Sequence, residues 1–157
     1  MRTHVCLLTL TLFTASLYAH VDPKPLASQE DLLKDRDAKL AANKKLVYDF
    51  WREVLEARHL DLADKYMRTD YIQHNPNADT GMAGFKAYFS KLGGSLPIEP
   101  KIKREVISIV AQGDLVVLSF VQENKDSKGQ PYKTTWFDMF RIQDGKIAEH
   151  WDSALRP

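Results

Sequence analysis

Apolar residues along the chain follow two different periods. Up to about Arg58 they recur at helical spacing, with Val47, Phe50, Trp51, Val54 and Leu55 in the i, i+3, i+4, i+7 pattern. Lys44, Lys45, Asp49, Arg52, Glu53 and Glu56 fill the other face. Ser28, with Asp31 three residues on, sits where a capping box opens a helix, and no Gly or Pro follows before Arg58. The pattern predicts one long helix over 28–58, its less apolar half before Lys44 a solvated extension. Leu60–Met67 predicts a short second helix with Leu62, Ala63 and Tyr66 inward. Asp70–Pro76 reads as the end of regular structure. Gly81–Leu92 predicts a third helix with Met82, Phe85, Tyr88, Phe89 and Leu92 on one side, stopped by Gly93 and Gly94.

After Pro100 the period drops to two. Lys101–Gln112, Asp114–Glu123, Tyr132–Gln143 and Lys146–Ala154 read as strands rich in Val, Ile, Phe, Trp and Thr. Gln112-Gly113-Asp114, Lys125–Gly129 and Asp144-Gly145 are the hairpin connections. Helices followed by an antiparallel meander predict an α+β fold with the helices on one sheet face. Leu115–Val121 (LVVLSFV) is nearly continuous in apolar character, which predicts a strand covered on both sides. The helices cover one side, and a second copy of the chain, giving a homodimer, is the simplest cover for the other.

Residues 1–19 change the picture of where this domain works. Arg2 is a short positive start, Val5–Phe13 an apolar core and Thr14–Ala19 a cleavage region, the layout of an export signal removed after Ala19. The apolar stretch is shorter than the ~20 residues that span a bilayer. Residues 20–42 then form a leader and N-terminal helical extension, and residues 43–157 the domain. The expected location is periplasmic or secreted. Of 157 residues 44% are hydrophobic and 27% charged, as in ordinary globular domains. Cleavage removes the only cysteine, so the mature chain is expected to use neither disulfide nor thiolate chemistry. It also removes Arg2, so 22 Lys+Arg becomes 21 against 21 Asp+Glu, a balance with no basic footprint for nucleic acid or anionic membrane.

Titratable residues gather at His74-Asn75-Pro76 and on the last two predicted strands. Alternation puts Trp136, Asp138 and Phe140 on one strand face, and His150 and Asp152 on one face of the next. An aspartate between aromatic residues, beside a His-X-Asp strand, is costly to bury without a use and suits general acid–base chemistry. The candidates are Asp138, His150, His74 and Asp152, with Asp152 orienting His150. Trp51, Asn75, Trp136 and Phe140 are the candidate substrate-binding walls. The spacing of His74, Asp138, His150 and Asp152 matches no standard metal motif, and neither metal nor other cofactor is expected. A histidine or tryptophan alone is more often structural, and it is the constellation together that points to function.

Tyr71-Ile-Gln-His-Asn-Pro76, Gly84-Phe85 and the run from Phe137 to Asp152 (FDMFRIQDGKIAEHWD) resemble bacterial SnoaL-like proteins, polyketide cyclases of the nuclear transport factor 2-like superfamily. The resemblance runs from about Asn43 to Asp152. It implies a curved antiparallel sheet wrapped around N-terminal helices to leave a conical pocket. It also implies a cofactor-free pocket that enolises a small carbonyl compound for aldol closure. Against ketosteroid isomerase of the same superfamily, Asp138 matches the aspartate whose protonated form binds the oxyanion. Asn75 stands where that enzyme has its base, and Trp51 where it has a tyrosine, so steroid isomerisation by that constellation is not expected. An acid–base enzyme of aldol cyclase, isomerase or dehydratase type leads. A non-catalytic binder of apolar ligands and a partner-recognition domain using the outer sheet face are the competing readings.

Overall fold

The computed structural model describes residues 20–156. The predicted export signal therefore lies outside the described residues. The expected long first helix is two helices. α1 (Gln29–Leu32) is capped by Ser28, whose side chain accepts from the Asp31 amide, and α2 (Ala38–Phe50) begins afresh at Asp37. The Asp37 carboxylate accepts from the amides of Lys39 and Leu40, and that of Asp35 accepts from the Asp37 amide. Short acidic side chains that bind nearby amides compete with helix propagation, which is why the chain breaks here without Gly or Pro. The Lys44 ammonium closes the break, bonded to the Lys34 carbonyl and paired with Asp35 at 2.9 Å.

α2 runs directly into a π-helical turn, Trp51–Glu56, whose wider ring is closed by the Ala57 amide on the Arg52 carbonyl at 3.1 Å. Val47, Phe50, Trp51 and Val54 are buried as predicted, while Leu55 is only half-buried. A short 3-10 turn (Leu60–Leu62) and α3 (Ala63–Tyr66) follow, and then β1 (Met67–Gln73), a strand where the end of regular structure was expected. α4 (Gly81–Phe89) packs on β1, with Phe85 buried against Phe50 and Tyr71. A Cβ on Gly84 would stand 2.5 Å from the Asp79 carbonyl oxygen, so the 74–80 loop is pressed onto α4 at a place only glycine allows.

The order of the meander is as predicted, with its first strand starting at Val106 where Lys101 was expected: β2 (Val106–Gln112), β3 (Leu115–Lys125), β4 (Pro131–Gln143) and β5 (Lys146–Asp152) pair antiparallel in sequence order. Asp144 (φ 51) and Gly145 (φ 70) both take the left-handed conformation that a two-residue hairpin requires. β1 adds to β5 in parallel, giving the order β1-β5-β4-β3-β2. The result is an α+β fold in which a curved five-stranded sheet holds the helices in its concave side. Phe50, Phe85, Phe120 and Phe140 fill the space between them. Burial of four such rings contributes on the order of 2 kcal/mol each or more.

β3 has two covered faces over only part of its length. Val116, Leu118 and Phe120 are fully buried on the concave side, whereas Leu115 and Val117 are half-buried on the convex side. There Val110 and Phe137 are 56% and 50% exposed, beside Met139 and Trp151.

Candidate active site

Three strands bring the site together. In β4 and β5, Phe140 pairs with His150 and Asp138 with Asp152, so all four lie on the concave face as alternation requires. Asp138 is 5% exposed, and its carboxylate meets three nitrogens. Oδ2 accepts from Trp51 Nε1 at 2.9 Å, and Oδ1 accepts from Trp136 Nε1 at 3.0 Å and faces His150 Nε2 at 3.1 Å. Neither Arg141 nor Lys146 reaches it: Arg141 pairs with Glu149, and Lys146 donates to the Asp64 carbonyl. Asp138 is thus held by two indole N–H groups and a histidine.

The other side of the histidine ring is set by Gln73 of β1. Gln73 Oε1 accepts from the Asn75 amide at 3.0 Å and faces His150 Nδ1 at 2.9 Å. The backbone donor fixes that atom as the amide oxygen, so the nitrogen opposite must carry a proton. With Nδ1 protonated, Nε2 and Asp138 Oδ1 share one further proton. Two bare acceptors would not stay at 3.1 Å, and whichever atom holds that proton, the pair has no net charge.

Asp152 was expected to orient His150, but Gln73 occupies that position. Asp152 Oδ2 accepts from Asn75 Nδ2 at 2.6 Å, and Oδ1 from the Ala154 amide at 2.9 Å. Asp138, His150 and Asp152 each offer one atom within 4.8 Å of the others, a spacing a cation could use. The donor set argues for protons instead, because both Asp138 oxygens already receive N–H groups.

His74, another predicted acid–base residue, is not part of this group. β1 alternates through residue 75, so Tyr71, Gln73 and Asn75 face inward while Ile72 and His74 face out. His74 stacks on Trp151 with ring centroids 4.9 Å apart, and its Nε2 meets Glu149 Oε1 at 2.7 Å. Trp51 and Trp136 also differ from their predicted role as walls: both indoles are spent on Asp138. Arg104 lies over Trp51 and Phe120, and burial holds its guanidinium below the usual arginine range, partly offset by Asp138 and Glu56.

The space in front of the site is small. A cavity of about 30 Å³ is lined by His150, Asp152, Gln73, Asn75, Tyr71 and Phe140, together with the half-buried Leu55, Ala78, Tyr88 and Phe89. That is room for a water or two, where a substrate pocket typically measures some hundreds of Å³. The wide cone expected from the resemblance is closed here by the 74–80 loop and α4. Asp138 is not on the cavity wall. It lies behind His150, so a molecule entering meets His150 and Asp152 first. A larger hollow of about 610 Å³ at Asp64, Arg68 and Lys146 is an open groove whose basic groups are already engaged.

The family model for SnoaL-like polyketide cyclase matches residues 45–154. The chain belongs to the SnoaL-like polyketide cyclase family. Similar solved structures agree on its fold. TsrD from Streptomyces laurentii is 19% identical, covering 76% of this chain and 90% of its own at a TM-score of 0.52. A putative polyketide cyclase from Acidithiobacillus ferrooxidans is 21% identical, covering 71% and 86% at 0.53. An M. tuberculosis LEH-like epoxide hydrolase is 15% identical, covering 73% and 83% at 0.52. At such identities the likeness establishes the nuclear transport factor 2-like fold and leaves the reaction to the site. No curated protein matches this SnoaL-like chain.

Gln73 and Tyr71 are the inward residues that the sequence did not single out. Neither an amide nor a phenol stands out by charge, and only recognition of β1 as a strand would have placed them beside His150.

Proposed function

We propose that this SnoaL-like protein is a cofactor-independent acid–base enzyme that enolises a compact carbonyl compound. The observation that carries the reading is the buried His150–Asp138 pair set against a cavity fronted by Asp152. Asp152 removes the proton next to the carbonyl, its carboxylate aimed by Asn75. The electron pair of the C–H bond becomes the C=C bond, and the carbonyl π pair moves to oxygen. His150, kept charged by Asp138, stabilises that oxygen electrostatically and balances the charge as the step reverses or the enolate attacks a second carbonyl. Of the residues expected from sequence, Asp138 becomes a positioning group and Phe140 an apolar wall. Substrate entry requires Tyr88, Phe89 and the 74–80 loop to move aside.

The same reading has the enzyme act outside the cytoplasm after loss of residues 1–19, which N-terminal sequencing of the mature protein tests. It also pairs two copies through the convex face, where Val110, Phe137 and Met139 are apolar and Arg141 and Glu149 supply both signs of charge.

The test is deuterium uptake at the α-carbon of cyclopentanone, 2-butanone and ethyl acetoacetate, followed by NMR in D₂O. The wild-type protein is expected to exceed the buffer rate with at least one of them, and Asp152→Asn to return that rate to buffer. Equal rates with and without wild-type protein across the panel would overturn the reading and favour a non-catalytic binder.

A further inference from the structure

The cavity is well supplied with acceptors. Gln73 Oε1 and both Asp152 oxygens accept hydrogen bonds. One N–H of the Asn75 amide is spent on Asp152, and the ring nitrogens of His150 on Gln73 and Asp138. An oxygen gaining negative charge here would find the imidazole engaged, and would depend on the second N–H of Asn75, the amide nitrogen of Gln73 and the phenol of Tyr71.

Tyr71 is the most deeply buried of these donors. It is 2% exposed and lines the cavity, with its ring edge-on to Phe85. Its hydroxyl has no hydrogen-bond partner among the described residues. Yet no fully enclosed side-chain oxygen or nitrogen among them is unpaired. The hydroxyl must therefore reach open space, and the open space beside it is the cavity. Burial, with the charges of Asp138 and Asp152 nearby, raises its pKa well above the usual phenol range, so it stays a donor at any ordinary pH.

We infer that Tyr71 is a further catalytic residue, donating its O–H to the substrate oxygen on which negative charge develops. This rests on the proton-transfer reading above. No proton leaves Tyr71: Asp152 takes the carbon-bound proton, the charge arrives on the carbonyl oxygen, and the phenol hydrogen bond strengthens as it does. The placement also selects substrates. A ligand needs an oxygen acceptor within reach of both Tyr71 and His150, on a body slim enough to pass Leu55, Tyr88 and Phe89.

The probes are 4-nitrophenol, at a pH where it is ionised, and nitrobenzene, which has the same ring without the oxyanion. Binding is measured by absorbance and calorimetry in the Asp152→Asn protein, whose neutral amide does not repel the anion. Adding Tyr71→Phe is expected to weaken 4-nitrophenolate binding about tenfold or more, as one hydrogen bond to a charged oxygen implies, with nitrobenzene unchanged. Unchanged phenolate affinity, or equal losses for both ligands, would overturn the role of Tyr71 and leave the proton-transfer reading standing. Failure of Asp152→Asn protein to bind either ligand would overturn both. A second measurement does not depend on the double variant folding. With 13Cζ-tyrosine label, one tyrosine signal of the Asp152→Asn protein should shift with phenolate and not with nitrobenzene, and its constancy would count against the assignment.

Discussion

Nearly the same chemistry gathers on the two faces of the sheet at β4 and β5. On the concave face a histidine, an aspartate and two tryptophans meet; on the convex face a histidine, a glutamate and a tryptophan do. The convex pair, His74 and Glu149, is the shorter at 2.7 Å, against 3.1 Å for His150 and Asp138. Yet the His74 and Glu149 side chains are 42% and 13% exposed, whereas those of His150 and Asp138 are 10% and 7%. Distance alone would rank the convex pair first. Water decides otherwise, because it screens His74 and leaves His150 to interact with fixed dipoles.

The largest contrast is expected from deleting the two acids. Asp138→Ala strands two indole N–H groups and the His150 imidazole in the interior and should cost about 3–5 kcal/mol in urea unfolding. Glu149→Ala should cost about 0–1 kcal/mol, and similar losses for the two would break the contrast. Next, Gln73→Leu should remove the acceptor at His150 Nδ1 and cost about 1–3 kcal/mol, while His74→Gln stays within about 0.5 kcal/mol in the same measurement. A smaller effect is expected from a site remote from both faces. Tyr66 donates to Glu53 at 2.5 Å, and burial together with that glutamate pushes its pKa to about 12. The folded chain then keeps a proton that the unfolded chain loses near pH 10, so stability falls as pH rises from 10 to 12. Tyr66→Phe should flatten that slope in thermal melts. Least of all should follow from Phe137→Lys on the convex face, expected to leave unfolding within about 0.5 kcal/mol. The same change should shift light scattering from dimer to monomer, and an unchanged mass would count against pairing through this face.

The meander was legible because its strands are written in Val, Ile, Phe and Thr, and because Asp144-Gly145 demands a tight hairpin. The concave cluster followed from alternation along β4 and β5. β1 was not legible. Its sequence, MRTDYIQ, carries Arg, Thr and Asp on an exposed edge, and its partner, β5, lies more than seventy residues away in the chain. That single omission put His74 with the catalytic candidates and left Tyr71 and Gln73 out. The break before α2 was hidden for a different reason: it is made by carboxylates capping amides, in a stretch whose composition is helical. Cavity size was beyond the reach of pattern, since it depends on how closely Asp79 lies over Gly84.

Asp138 receives one indole from the helical layer, at Trp51, and one from the sheet, at Trp136. It is therefore a joint of the architecture as well as the backing of a histidine, and the two duties constrain each other during evolution. A lineage exploring new substrates has little freedom at Asp138, Trp51 or Trp136, where any change loosens one layer from the other. Its freedom lies in the half-buried part of the lining, Leu55, Ala78, Tyr88 and Phe89, where a side chain can be exchanged while the His150–Asp138 pair is left undisturbed.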